Sequence, residues 1–199
     1  MTVSLERPVR LTELEAVNVI LRAGGESGVS SLEDNTKVSV TRAVSCLAEQ
    51  NLVVQQEGWN FAAERELVLT PDPEDGFVYL PEGILSMQPV AGSQWDEVVE
   101  RDNRLYNPKT STFDFSDQVE VRVLAVVALP FADLPMPARW YVTLKGAAAF
   151  VANENGGVTR DLQAAVLEAK GSLERYDRRL RKGGLRRHNP HFARLRGAR

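Results

Sequence analysis

The sequence is poor in the residues that most catalytic centres require. Its 199 residues include one cysteine, Cys46, and two histidines, His188 and His191. A single cysteine excludes an internal disulfide and any multi-cysteine metal site, and suits a chain made in the reducing cytosol. On a helix, Cys46 reads as a small buried apolar residue. Both histidines fall in one basic terminal stretch, a poor foundation for a Ser-His-Asp or Cys-His arrangement. Their three-residue spacing could place two metal ligands on one helical face, but Asn189-Pro190 interrupts a helix and no third ligand is evident. Apolar runs are short of the roughly 18 residues of a membrane span. Residues 1–10 lack the apolar stretch of a signal peptide. No cofactor, no metal and no membrane span are therefore expected.

Acid is missing from one end. Residues 178–199 contain nine Lys or Arg and no Asp or Glu, which leaves 15 basic against 27 acidic residues before them, a net −12 hidden by an overall charge of −3. Such an end suits docking on an acidic partner or on nucleic acid phosphates. A composition 43% hydrophobic is ample for a packed core in one large domain or two small ones.

Thr12-Glu13-Leu14-Glu15 has capping-box spacing and should start a first helix, with Leu14, Val17 and Leu21 on one face and Gly24-Gly25 as its stop. Asp34 or Asn35 can cap a second helix, with Val40, Ala43, Val44 and Leu47 as its apolar face. That helix carries Asn51 to Val54 and stops at Gly58. From Trp59 the pattern changes, and eight of the 14 aromatic residues lie between Trp59 and Phe115. Arg65 to Thr70 and Gly76 to Leu80 read as a hairpin or near-hairpin around Pro71-Asp72-Pro73-Glu74-Asp75-Gly76. Further strands are expected at Ile84 to Val90, Trp95 to Val99, Arg104 to Tyr106, Thr112 to Phe115 and Val119 to Leu129. Short strands at this spacing suggest a small sandwich or barrel.

Leu129 to Tyr141 switches the period from strand to helix. Asp133 and the prolines after it should begin a third helix, on which Tyr141, Leu144, Ala148 and Val151 recur at helical spacing. Asn155-Gly156-Gly157 stops it. Thr159 caps a fourth, whose apolar face runs through Leu162, Ala165, Ala169, Leu173, Tyr176 and Leu180 to a stop at Gly183-Gly184. The predicted fold is thus α+β: an antiparallel four-helix bundle with an all-β domain inserted between helices two and three, and an extended basic C-terminal tail. The boundaries are 1–58 and 134–183 for the bundle, 59–133 for the β domain and 184–199 for the tail. The domain hinge is expected at Gly58, Trp59, Pro130, Phe131, Asp133 and Pro135.

Asp72, Glu74 and Asp75 could perform paired-carboxylate chemistry on a glycoside, but turn formation accounts for them without a cleft. The paired glycines lack the strand-to-helix setting of a phosphate loop and read as helix stops. The basic end could hold phosphates, with Phe192 as a stacking residue, yet no base-reading motif accompanies it.

Ala16, Asn18, Leu21, Gly25, Glu26, Val29, Ser31 and Leu32 open a series of short motifs. It continues through Gly58-Trp59-Asn60-Phe61, Leu69-Thr70-Pro71, Leu80-Pro81 and Leu105-Tyr106 to Pro130-Phe131-Ala132-Asp133-Leu134-Pro135. In content and order, over roughly residues 11–175, this resembles the tail tubular protein A family, the adaptors of short-tailed podoviruses. Gly28 departs from the proline frequent in the family before its Val-x-Ser-Leu loop.

The resemblance implies a virion tail protein with no enzymatic activity, made in the host cytoplasm. It implies a homododecameric ring between the portal protein and the tail nozzle protein, through which viral double-stranded DNA passes. By position, the portal contact would use Arg178, Arg179, Arg181, Lys182, Arg186, Arg187, Arg194, Arg196 and Arg199, with Phe192 and Leu195 as apolar anchors. Acidic charge facing the lumen would keep DNA from sticking. Two rival classes are a hydrolase acting on envelope or capsule polysaccharide through the β domain and a free nucleic-acid-binding protein.

Overall fold

The computed structural model describes residues 10–33, 37–90 and 97–188, with the backbone alone at 64–66, 155 and 181–188. The expected cap at Asp34 or Asn35, and Trp95, His191, Phe192, Arg194, Leu195, Arg196 and Arg199, lie outside these residues. The chain forms two compact units, one of residues 1–54 with 130–199 and one of residues 55–129.

The first unit is helical. α1 (Glu13–Ala23) begins with the expected capping box: the Thr12 hydroxyl accepts from the Glu15 N–H at 3.2 Å, and the Glu15 carboxylate accepts from the Thr12 N–H at 2.8 Å. Gly25 takes the positive φ at its end. Gly24 does something else. A Cβ there would stand 2.4 Å from the Phe150 ring, so the glycine permits α1 to approach α3 (Met136–Asn155). Gly146 has a similar place on α3, where a Cβ would meet Ile20 at 2.9 Å and the Cys46 carbonyl at 3.6 Å. α3 therefore packs on α1 and comes close to α2 (Val38–Gln56) at Gly146.

The buried side of α2 carries Val40, Ala43, Cys46, Leu47 and Val54. Val44, expected on that face, is exposed, because the face follows positions 40, 43, 47 and 54 and leaves 44 beyond its edge. α3 has no side-chain cap. Pro135 precedes it, a 3-10 turn occupies Phe131–Asp133, and Asp133 caps nothing. Its end is as expected, with Gly156 left-handed and its N–H donated to Ala152.

Thr159 accepts from the Leu162 N–H at 3.3 Å and starts α4 (Arg160–His188), which packs on α3. Gly183-Gly184 does not stop it. The helix continues to His188, about 43 Å in all, so residues 184–188 belong to a rod where an extended tail was expected. Two glycines cost about 1 kcal/mol each, less than is needed to end a helix rich in Arg, Lys and Leu.

The second unit holds two antiparallel sheets. In one, β5 (Val121–Val127) lies between β1 (Ala63–Leu69) and β2 (Ile84–Pro89). β1 pairs with β5, Leu67 opposite Val123 and Leu69 opposite Val121, so the expected hairpin between residues 65–70 and 76–80 does not form. The turn at its tip does, with Gly76 at φ 73° and Asp75 accepting from the Phe77 N–H. β3 (Val99–Arg101) and β4 (Arg104–Tyr106) form the second sheet through Asp102 and Asn103. Positive φ at both residues gives the primed turn that matches strand twist. Thr112 to Phe115 makes only isolated bridges. Leu69, Val78, Leu105, Phe115, Val121 and Val123 join both sheets in one core.

Gly24→Ala should lower stability by about 1–3 kcal/mol, because the buried Phe150 ring cannot move away freely. Gly157→Ala, with open space at its Cβ and no positive φ, should be nearly neutral; denaturant midpoints of the two variants compare them. Burial pushes the Cys46 thiol up from its ordinary pKa, and the Glu49 and Glu154 carboxylates add to this. Folding therefore favours the protonated thiol: its stabilisation is complete below the unfolded thiol pKa and fades as pH rises through the folded one. Thiol labelling should stay slow at neutral pH and become fast only on unfolding.

Candidate functional site

Arg139, in the helical unit, is a buried cation, only 5% exposed. It sits one turn into α3, and helical side chains lean toward the N-terminus. The guanidinium thus returns to the turn that precedes its own helix. Nε donates to the Leu134 carbonyl at 2.9 Å and another nitrogen to Ala132. The remaining arm donates to the Leu11 carbonyl at 2.8 Å, immediately before the α1 cap. Phe131, 4% exposed, lies with its ring 5.8 Å from the guanidinium carbon. Three carbonyls of irregular backbone are satisfied by one residue.

Gln55 has a comparable task in the other unit. Its amide donates to the Leu129 carbonyl at 3.0 Å and accepts from the Leu129 N–H at 2.7 Å, joining the first and last residues of residues 55–129. Among the expected hinge residues, Gly58 has φ 80° and Trp59 is buried, Pro130 precedes the 3-10 turn, Pro135 precedes α3, and Asp133 is exposed. The sequence reading missed Arg139 and Gln55. Their signal was positional: Arg139 lies between Ala138 and Tyr141 on a buried face, and Gln55 directly follows Val54.

Within the described residues, the basic stretch from Arg178 to His188 is carried on α4. Arg178 and Arg179 are exposed, and Arg178 Nε reaches the Glu174 carbonyl at 3.3 Å. Arg181, Lys182, Arg186 and Arg187 belong to the same helix by backbone. By register, Arg175, Arg178, Arg179, Lys182 and Arg186 follow one side of it at steps of one, three and four residues. The division into units also resolves the charge. Residues 55–129 contain 14 acidic and five basic residues, a net −9, whereas the helical unit holds the other 13 acidic and 19 basic residues, a net +6.

The carboxylates of the Asp72–Asp75 turn are engaged locally. Asp72 accepts from the Glu74 N–H at 2.8 Å, and Asp75 accepts from the Phe77 N–H and the Tyr79 hydroxyl, both at 2.8 Å. These carboxylates hold a turn. Among the described residues, no His, Cys, Asp and Glu group could hold a metal ion, and no helix is long and apolar enough to cross a membrane.

Trp140, on the exposed side of α3, is 42% accessible and separates two surface grooves. One, about 520 Å³, is lined by Met136, Pro137, Leu144, Ala165 and Glu168. The other, about 420 Å³, is lined by Leu11, Glu15, Asn18, Val19 and Arg22. Both grooves are open at the surface of the helical unit. The family model described as tail tubular protein matches residues 14–182. The chain belongs to this family. No curated protein sequence matches it. A tail tubular protein is a structural component of a phage virion, which agrees with carboxylates engaged in a turn and an exposed aromatic ridge.

Replacing Arg139 by Lys should cost about 2–4 kcal/mol, since one ammonium cannot span three carbonyls and leaves buried acceptors without donors. Chemical denaturation measures this; a loss below about 0.5 kcal/mol, the scale of ordinary surface substitutions, would show that the guanidinium fork is dispensable.

Proposed function

We propose that this tail tubular protein is the adaptor ring between the portal and the tail nozzle, and part of the channel through which DNA leaves the head. The observation that carries the reading is the segregation of charge, a cationic α4 end against an acidic residue 55–129 unit, within a chain of this family. In this reading the helices form the bundle that makes the ring, and residues 55–129 are the β domain inserted into it. Gly58, Trp59, Pro130, Phe131, Asp133 and Pro135 serve as the hinge.

The α4 end docks on an acidic surface of the portal. Arg178, Arg179, Arg181 and Lys182 supply long-range attraction, and repetition around the ring multiplies weak contacts into a stable joint. Net negative charge on the second unit keeps DNA from adhering while it passes, if that unit borders the lumen.

Light scattering of the chain alone and mixed with its portal tests the reading, with twelve copies gained per portal as the expected result. Reversing Arg178, Arg179, Arg181 and Lys182 to Glu should weaken portal association by roughly tenfold or more and flatten its salt dependence. Circular dichroism should remain unchanged. Undiminished binding by that variant would remove the α4 end from the contact, and no association of the intact chain would remove the adaptor role.

A further inference from the structure

Two exposed features of the helical unit have opposite shapes. One is the Trp140 ridge with a groove on either side. The other is the outer side of α2, where Val38, Thr41, Ser45, Ala48 and Leu52 follow at steps of three and four residues, all exposed. Val38 is 64% and Leu52 44% accessible, and Val53 beside them is 42%. Val38 and Leu52 stand about 21 Å apart along the helix, with three small residues between them. The outline is a saddle between two apolar ends. Large apolar side chains are thus left in water at both ends of one helix side, Val38 at one and Leu52 with Val53 at the other.

We propose that these two features meet between copies of this chain: Trp140 of one copy enters the Thr41-Ser45-Ala48 saddle of the next. Val38 and Leu52 fill the grooves on either side of the tryptophan. The inference rests on the ring reading above and names the contact that builds the ring. A ring generated by rotation needs a heterologous interface, two different patches on each subunit that fit one another. The helical unit supplies such a pair.

Charge sets the direction. Glu168 lies in the groove between α3 and α4, and Lys37 precedes Val38 on α2; neither has an ion-pair partner among the described residues. Seating Val38 in that groove brings the two together, leaving Leu52 for the groove beside α1. The exposed Trp supplies the large rigid anchor typical of interface centres, and the small saddle residues allow close approach.

A heterologous contact has two halves that can be broken separately. Ala48→Arg fills the saddle at an exposed helical position, and Trp140→Ala removes the ridge. Each full-length variant should remain folded by circular dichroism and thermal midpoint, yet lose self-association by roughly tenfold or more in sedimentation. Mixed one to one, they should form dimers and nothing larger, because the saddle of the Trp140→Ala chain still accepts Trp140 of the Ala48→Arg chain. Rings formed by Ala48→Arg at wild-type concentrations would overturn this interface and leave the ring reading standing, as would a mixture that stays monomeric. A wild-type chain that stays monomeric both alone and with the portal would overturn both.

Discussion

One guanidinium governs how the helical unit begins and resumes. Arg139 binds the carbonyls of Ala132 and Leu134, in the turn where the chain re-enters the helices, and of Leu11, where it first enters them. An isolated buried cation would cost several kcal/mol, and so would each bare carbonyl, but the planar fork offsets both costs in one place. The consequence is geometric. α3 has no capping side chain, and the orientation of its first turn depends on a residue one turn inside it. Through Leu11, the same residue fixes the start of α1 against the start of α3.

Side-chain amides repeat the device on a smaller scale. Asn18 accepts from the Val29 N–H at 2.7 Å and donates to the Val29 carbonyl at 2.9 Å, fastening the loop after α1 back onto the helix. Gln55 does the same to Leu129. In both cases an amide presents one donor and one acceptor to a single residue, as a neighbouring strand would. Gly28 is tied to this arrangement, since a Cβ there would stand 3.0 Å from Asn18 Oδ1. The co-occurrence of Asn18 and Val29 among the family-like motifs therefore has a direct physical cause.

What could be read in the sequence follows the range of the interactions. The α1 capping box, the Gly156 stop and the Thr159 cap are local, and each stands where the residues indicate. The strand partner of β1 is not local. Leu67 meets Val123 across more than fifty residues, and alternation within either strand is equally compatible with a hairpin. Asp133 failed as a cap for a similar reason, because Arg139 and a 3-10 turn had already organised that backbone. For the surface the limit was different. The basic residues of α4 were visible as charge, whereas Trp140 looked like one more aromatic residue until its exposure and its two grooves were known.

The continuation of α4 changes the energetics of docking by its end. A disordered basic tail must give up about 1–2 kcal/mol of backbone entropy for every residue it orders on a partner. For residues 184–188 that cost is already met within the helix. Cations in the last turns of a helix also lie near the negative end of its dipole, and Asp161 near the positive end, so the charge pattern favours the helix that carries it. Gly183-Gly184 is then the point of least helix propensity in a charged rod, able to bend at modest cost while the basic residues on both sides stay in register. A rod of this kind delivers its charge at a set distance from the body. An extended tail would search a larger volume but bind with a greater loss of freedom.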